Sequence, residues 1–196
     1  MKLSTDRFLT THVGSLPRPP EIVELLLKKE RGEPYGEAAY GSAMARAVAD
    51  VVARQAKAGI DVVSDGETSK IGYATYMQER LHGFGGHNER KLPLDTRDHP
   101  DFREKMARVT GAQSFRRAAC VAPIAVKDWA PLHRDLEHFR RALAGAQVAE
   151  AFMNSASPGL VSAFQPNIVV TLGSSFNRLR STSSVRYWGS LSLRWK

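Results

Sequence analysis

Cysteine is almost absent from this sequence, whose 196 residues include a single one, Cys120. One cysteine excludes an internal disulfide framework and any cysteine-rich zinc site built within this chain. It also favours a reducing compartment, so the sequence predicts a cytoplasmic protein. Cys120 lies in a short apolar run, and we expect it to be a small buried residue without a ligand role.

Long apolar runs are missing as well. No stretch approaches the length that a membrane-spanning helix needs. The N-terminal sequence MKLSTDRF has no hydrophobic segment of the kind that a secretory signal requires. Hydrophobic residues make up 42% of the chain and charged residues 24%, which is ordinary for a globular domain with a real core. The sequence therefore predicts no membrane partner.

Acidic residues are missing from one region, residues 168–196, which contains five basic residues. Subtracting these five from the net charge of +8 leaves +3 for residues 1–167, an unremarkable value. The basic character is therefore mainly a property of this C-terminal region. Its arginines alternate with Tyr187, Trp188 and Trp195, which leaves open a module that binds RNA or an acidic surface. Because no known module pattern is present, nucleic acid is not the partner we favour.

Residues 1–167 alternate between strand-like and helix-like segments. The predicted strands are residues 8–13, 60–64, 118–122 (ended by Pro123) and 148–154. The predicted helices are residues 20–31, 41–58, 73–81 and 131–143. Such alternation favours an α/β fold with a parallel sheet and helices outside it.

The turns that follow the predicted strands carry polar or conformationally special residues. These turns are Gly14-Ser15, Asp65-Gly66-Glu67, Pro123 with its neighbours, and residues 155–159. Because ligand sites of parallel α/β folds lie at the carboxyl ends of the strands, we expect all four turns to open on one rim. Composition and spacing do not name a reaction.

Four motifs occur in this chain in a fixed order. They are THVGSLPRP (residues 11–19), QAKAGIDVVSDGE (55–67), APIAVKDWAPLHRDLEHFRRAL (122–143) and AFMNSASPGLVSAFQPN (151–167). Together they resemble the cobalamin-independent methionine synthase family, and in particular its short, single-barrel members related to the C-terminal catalytic domain. The resemblance implies a (β/α)8 TIM barrel of the methionine synthase/uroporphyrinogen decarboxylase-like type. This chain would supply the first half of that barrel, about four strands.

The resemblance also implies a reaction. Family members transfer a methyl group from a methylated folate to homocysteine or a similar thiol, and a zinc ion favours the reactive thiolate. The implied partners are therefore a small-molecule thiol and a methyl donor. A relative within the same superfamily that methylates a different thiol, such as a coenzyme M transferase, remains an alternative.

Motif matching assigns a substrate site to two of the turns. In the family the first turn holds the amino-acid substrate, which here points to Val13, Gly14 and Ser15. The glutamate that ends the Asp-Gly-Glu turn contacts the substrate amino group, and this position is Glu67. Three further residues, His12, Arg18 and Asp65, are possible rim contacts to which the resemblance gives no firm role.

The chain departs from the family in two ways. The family's zinc ligands are histidine, cysteine and glutamate residues on later strands of the barrel, so we assign no metal ligand and expect zinc only in full-length members. After about Asn167 the likeness stops, and we hypothesise a shift of reading frame there. The predicted division is a half-barrel over residues 1–167 and an unrelated basic region over 168–196. We expect such a truncated chain to be inactive and to self-associate through its open sheet edge.

Overall fold

The structure is a computed structural model and describes residues 2–86, 97–110 and 118–165. Within these ranges the fold is mixed α/β, with six helices and four strands. In chain order the elements are α1 Pro20–Arg31, α2 Glu37–Lys57, β1 Val62–Ser64, α3 Tyr73–Arg80, β2 Leu81–Gly85, α4 Pro100–Thr110, β3 Ala119–Val126, α5 Ala130–Leu143, β4 Glu150–Phe152 and α6 Pro158–Phe164. No helix of the described ranges has the length and apolar character that crossing a membrane requires. The predictions for residues 168–196 lie outside the described residues.

Helix α1 has the bounds that its sequence predicts. Pro20 stands at the first helical position, where its fixed φ suits the helix and its missing N–H is not needed. Glu21 lies in the first turn and three basic residues lie in the last, so both ends complement the helix dipole. Gly32 ends the helix with φ 71°, the left-handed conformation that glycine adopts most easily.

Helix α2 is joined to β1 by a side-chain amide. The Nε2 of Gln55 donates to the Ser64 carbonyl at 2.8 Å, and the Ser64 N–H donates to Gln55 Oε1 at 3.1 Å. Both residues are buried. The amide thus satisfies the backbone N–H and carbonyl of Ser64, as buried polar groups require.

The parallel sheet is small. Strand β1 pairs with β4 in the register Val62↔Glu150, and Thr11 forms a single parallel bridge to Val62 on the other side. The predicted strand over residues 8–13 is therefore wrong in extent, since it is reduced to that bridge. The Asp61 carboxylate replaces part of the missing strand pairing, because it accepts hydrogen bonds from the Thr10 N–H and from the Arg7 guanidinium.

The second sheet is an antiparallel pair of β2 and β3, which have α4 between them in the chain, and the sequence did not indicate this pairing. Pro123 was predicted to end a strand, and this is wrong because it lies inside β3. The register of this pair shifts between His82 and Phe84, and Gly83 has φ 94° there. A proline is tolerated beside such a bulge because the ladder is already interrupted. Pro123 therefore does not follow a parallel strand, and three of the four predicted rim turns remain.

The core lies between β1, β4 and the helices α2, α3 and α5. Helix α5 turns an apolar stripe towards α2. The fully buried side chains of this core include Val52, Val63, Met77, Leu132 and Phe139. A second, smaller core joins α1 to α2 through Ile22, Leu26, Ala43, Met44 and Ala47. This packing holds the parallel sheet in place and so determines where the carboxyl ends of β1 and β4 lie.

Candidate functional site

Three chain segments run parallel and each is followed by a polar residue. Ser15 follows the Thr11 bridge, Glu67 follows β1, and Asn154 follows β4. Because carboxyl ends of parallel strands share one edge, the three side chains meet there. Ser15 Oγ donates to Glu67 Oε2 at 2.7 Å, and Asn154 Nδ2 donates to Glu67 Oε1 at 2.8 Å.

Glu67 also accepts a hydrogen bond of 2.7 Å from the Tyr73 hydroxyl, and only 7% of its surface is exposed. We call Ser15, Glu67, Tyr73 and Asn154 the Glu67 cluster. Burial by itself raises the pKa of Glu67, but the hydrogen bonds from Tyr73, Ser15 and Asn154 outweigh it and lower that pKa below its ordinary value. The cluster therefore holds an ionised carboxylate in a protected position. Burial, together with the bond to this carboxylate, raises the pKa of Tyr73, so Tyr73 remains a donor.

The turn that carries Glu67 has an unusual backbone. Gly66 has φ 59° and Glu67 has φ 53°, and Glu67 is the one non-glycine residue with positive φ among those described. A side chain at Gly66 would bring its Cβ within 2.8 Å of Val51 Cγ1. The Gly66 carbonyl accepts a hydrogen bond of 3.0 Å from Leu16 N–H, which ties this turn to the turn of Ser15. Strain of this kind is typical of functional sites.

A buried ion pair lies beside the Glu67 cluster. Lys70 Nζ contacts the Asp65 carboxylate, and the two side chains are 1% and 3% exposed. The second oxygen of Asp65 accepts from the Glu67 N–H at 3.2 Å. Asp65 therefore points into the protein and supports the Glu67 turn, whereas the sequence suggested a contact at the rim.

Arg18 also supports this turn. Its Nη2 donates to the carbonyl oxygens of Glu67 and Lys70, each at 2.7 Å, and its Nε donates to the Thr68 carbonyl at 3.1 Å. The same Nη2 lies 3.4 Å from Ser15 Oγ. Desolvation lowers the pKa of Arg18, although Glu67 and Asp65 oppose that shift.

The other predicted residues lie at the edges of the site. Val13 is 67% exposed, and Gly14 has φ 108°, which favours glycine at the tight turn before Ser15. His12 lines a neighbouring, mainly apolar cleft of about 590 Å³, which also touches Arg18 but not Ser15 or Glu67. The Nε2 of His12 is buried and finds no hydrogen-bond partner in the described part of the chain. The structure thus brings Ser15, Glu67 and Arg18 together, whereas His12 lines the neighbouring cleft.

Sequence reasoning missed Tyr73, Asn154 and Lys70. A positional signal existed for Asn154, which comes two residues after the last strand and so belongs to an exit turn. Tyr73 begins α3, and nothing in its local sequence says that its hydroxyl turns back to Glu67. Lys70 could have been paired with Asp65 only by knowing that both are buried.

A zinc site is not formed by the residues described. In residues 2–86, 97–110 and 118–165, no three histidine, cysteine, aspartate or glutamate side chains lie close enough to hold a metal ion. Cys120 is buried and lies opposite Phe84 in the β2–β3 pair, as expected for a small core residue. Burial raises the pKa of its thiol, which disfavours the thiolate that a metal would bind.

Comparison with known proteins bears on the segment that carries most of the site. The family model described as "Cobalamin-independent synthase, Catalytic domain" matches residues 8–96. Residues 8–96 of this chain are therefore similar to that catalytic domain. The matched segment includes Ser15, Arg18, Glu67 and Tyr73, while Asn154 lies outside it.

Curated proteins are similar to part of this chain. A 5-methyltetrahydropteroyltriglutamate–homocysteine methyltransferase from Acidithiobacillus ferrooxidans is 40% identical over 77 residues, which cover 39% of this chain and 10% of the relative. The protein of the same name from Shewanella oneidensis is 36% identical over 76 residues, again 39% of this chain and 10% of the relative. The matched stretch thus spans about a tenth of the length of these relatives.

A solved structure of this family has a similar fold. It is a B12-independent methionine synthase from Shewanella sp. W3-18-1 in complex with selenomethionine, with a TM-score of 0.53 and 19% sequence identity. The alignment covers 87% of this chain and 43% of the synthase. The likeness therefore extends the fold similarity beyond residues 8–96.

Proposed function

We propose that this chain carries part of a methionine synthase-like S-methyltransferase, which moves a methyl group from a methylated folate to homocysteine or a similar thiol. The observation that carries the proposal is the 2.7 Å hydrogen bond between Ser15 and Glu67, two residues 52 positions apart that meet at the carboxyl edge of the sheet. Both lie in the segment that matches the synthase family. Their role is to bind the amino-acid part of the thiol substrate.

The chemistry of the Glu67 cluster suits an α-amino acid. A carboxylate accepts about four hydrogen bonds, and Glu67 receives three from neutral donors in the cluster. One acceptor position on Oε2 is left for a substrate ammonium, and such a charge-assisted bond is about twice as strong as a neutral one. The backbone N–H groups around Gly14 would provide donors for the substrate carboxylate, because the single proton of the Ser15 hydroxyl is donated to Glu67.

This arrangement favours homocysteine over the alternative acceptor class. Coenzyme M carries a sulfonate and no ammonium, so an ionised glutamate beside it would repel the ligand instead of binding it. The RNA-binding alternative depends on residues 168–196, which lie outside the described residues. The lone, buried Cys120 supports the further proposal of a cytoplasmic location.

We also propose that the parallel segments belong to a (β/α)8 barrel and that residues 1–167 supply its first part. The fold likeness to a methionine synthase and the sheet order Thr11–β1–β4 support this proposal. In this arrangement three parallel segments contribute to the barrel, and the antiparallel β2–β3 pair is an addition to it. Residues 168–196 would form a separate basic region. Phe8 is 91% exposed near the outer edge of the sheet, which supports self-association of the chain at that edge.

Zinc, which the family resemblance implies, does not fit the described residues of this chain, because no set of three ligands gathers there. No step of the proposed reaction is therefore assigned to a metal. What the described residues do is bind and orient the amino acid: Glu67 holds the ammonium, and Ser15 lies beside it.

The test measures binding of two ligands by isothermal titration calorimetry. L-Methionine carries the ammonium, and 4-(methylthio)butanoate is the same molecule without it. Glu67→Gln should weaken L-methionine roughly 10- to 100-fold, the value of a hydrogen bond to a charged group, and should leave the butanoate unchanged. Glu24→Gln, which alters a glutamate on the outside of α1 that is 67% exposed, is the matched control and should change neither ligand. Equal loss of both ligands, or no binding at all, would contradict the proposal.

A further inference from the structure

The guanidinium of Arg18 donates hydrogen bonds to three carbonyl oxygens of one short turn. These are the carbonyls of Glu67, Thr68 and Lys70, at 2.7, 3.1 and 2.7 Å from its nitrogens. A guanidinium suits this arrangement because its donors lie in a rigid plane, whereas a lysine has one nitrogen on a flexible chain. The contact is therefore specific to arginine and not only to positive charge.

The turn that Arg18 holds needs such support. Gly66 and Glu67 both have positive φ, and for Glu67 this is a conformation that side-chain-bearing residues rarely adopt. Backbone strain persists only where surrounding contacts determine the conformation fully. Arg18 donates to the Glu67 carbonyl, while the Asp65 carboxylate accepts the Glu67 N–H.

Arg18 also spans the two halves of the site. Arg18 lies in the loop before α1, three residues after Ser15, and its Nη2 lies 3.4 Å from the Ser15 hydroxyl. The same nitrogen bonds the Glu67 backbone, so one group sets the distance between the Ser15 turn and the Glu67 turn. Arg18 hydrogen-bonds the backbone of Glu67 and not its carboxylate, so it orients the carboxylate without occupying it.

We propose that Arg18 is a positioning residue, which holds the Glu67 carboxylate towards Ser15 so that it can receive a substrate ammonium. This inference rests on the proposed function of Glu67 as the ammonium partner. It assigns to Arg18 a role in discrimination between ligands, beyond a contribution to stability. Without the hydrogen bonds from Arg18 the Glu67 turn relaxes. The carboxylate then no longer contacts the substrate ammonium and Ser15 at the same time.

The experiment compares the ratio of affinities for L-methionine and 4-(methylthio)butanoate in the full chain and three variants. Arg18→Met removes the hydrogen-bond donors, and Arg18→Lys keeps the positive charge without the planar guanidinium. The control Arg140→Met changes an exposed arginine of α5 whose hydrogen bonds stay within one turn of that helix. We expect both Arg18 variants to lower the ratio at least 10-fold through weaker L-methionine binding, and Arg140→Met to keep it. Thermal unfolding of each variant measures the structural effect separately.

The outcomes separate this inference from the proposed function. If Arg18→Lys lowers the melting temperature but keeps the affinity ratio, Arg18 is structural only and the inference is overturned while the role of Glu67 stands. If the unaltered chain shows no preference for the ligand with the ammonium, the proposed function fails and this inference fails with it. Should Arg18→Met not fold, the Arg18→Lys result decides alone.

Discussion

The buried pair of Lys70 and Asp65 gives a stability prediction whose size follows from the structure. The side chains are 1% and 3% exposed, so solvent does not screen them, and Lys70 Nζ also lies 5.6 Å from the centre of the Tyr76 ring. Lys70→Met fills the same space with an uncharged chain and leaves the Asp65 carboxylate buried without its cation. Breaking one partner of such a pair costs about 3–5 kcal/mol of unfolding free energy. We therefore expect Lys70→Met to be severely destabilising.

The double variant Asp65→Asn/Lys70→Met isolates the cause. The Asn side chain keeps an oxygen that can accept the Glu67 N–H, as Asp65 Oδ1 does at 3.2 Å, and no charge is left unpaired. Replacing both members of a buried pair is often close to neutral, so the double variant should recover most of the loss and lie within about 2 kcal/mol of the unaltered chain.

Urea unfolding followed by circular dichroism measures all three variants. Lys28→Met is the matched control, because Lys28 pairs with Glu24 on the surface, where the side chains are 39% and 67% exposed. It should change the unfolding free energy by less than about 1 kcal/mol. A Lys70→Met variant as stable as Lys28→Met would refute the reasoning, as would a double variant no better than Lys70→Met.

Two more predictions concern pH and association. The folded-state pKa of Glu67 is below its ordinary value of 4.5, so the stability it contributes is complete above about pH 4.5 and is lost as pH falls through the lower folded pKa. Urea unfolding between pH 7 and pH 3 should therefore show a steeper loss for the unaltered chain than for Glu67→Gln, and parallel curves would contradict this. Sedimentation velocity should show concentration-dependent self-association that Phe8→Ser reduces, since Phe8 is 91% exposed near the outer sheet edge; a monomer at every concentration would contradict it.

The sequence predicted best those elements whose limits are set by local chemistry. Pro20 and Gly32 mark the two ends of α1, and both act through their own backbone geometry. The meeting of Ser15 and Glu67 also followed from the sequence, because parallel strands bring their exit turns to one edge whatever the side chains between them are. The resemblance to the synthase family then indicated which residues of those turns were candidate substrate contacts.

What the sequence did not predict depends on contacts between distant residues. Pro123 lies within a strand because of the bulge at Gly83, forty residues earlier in the chain. Tyr73 and Asn154 become part of the site only because α3 and β4 pack against the same turn. No local propensity encodes such a contact, since each residue would be equally acceptable in its own segment without it.

The attachment of the N-terminal segment has a consequence for how the site assembles. Residues 7–10 contact Asp61 mostly through hydrogen bonds that involve polar side chains. A single bridge at Thr11 stands in place of the hydrogen-bond ladder of a complete strand. Regions held by few buried apolar contacts open at lower free energy than the core. We therefore expect the segment that carries Ser15 to open at lower free energy than β1, β4 and their helices, with the bonds of Arg18 and Leu16 to the Glu67 turn opposing that opening. An amino acid bound at Glu67, as proposed, would favour the closed form of this segment.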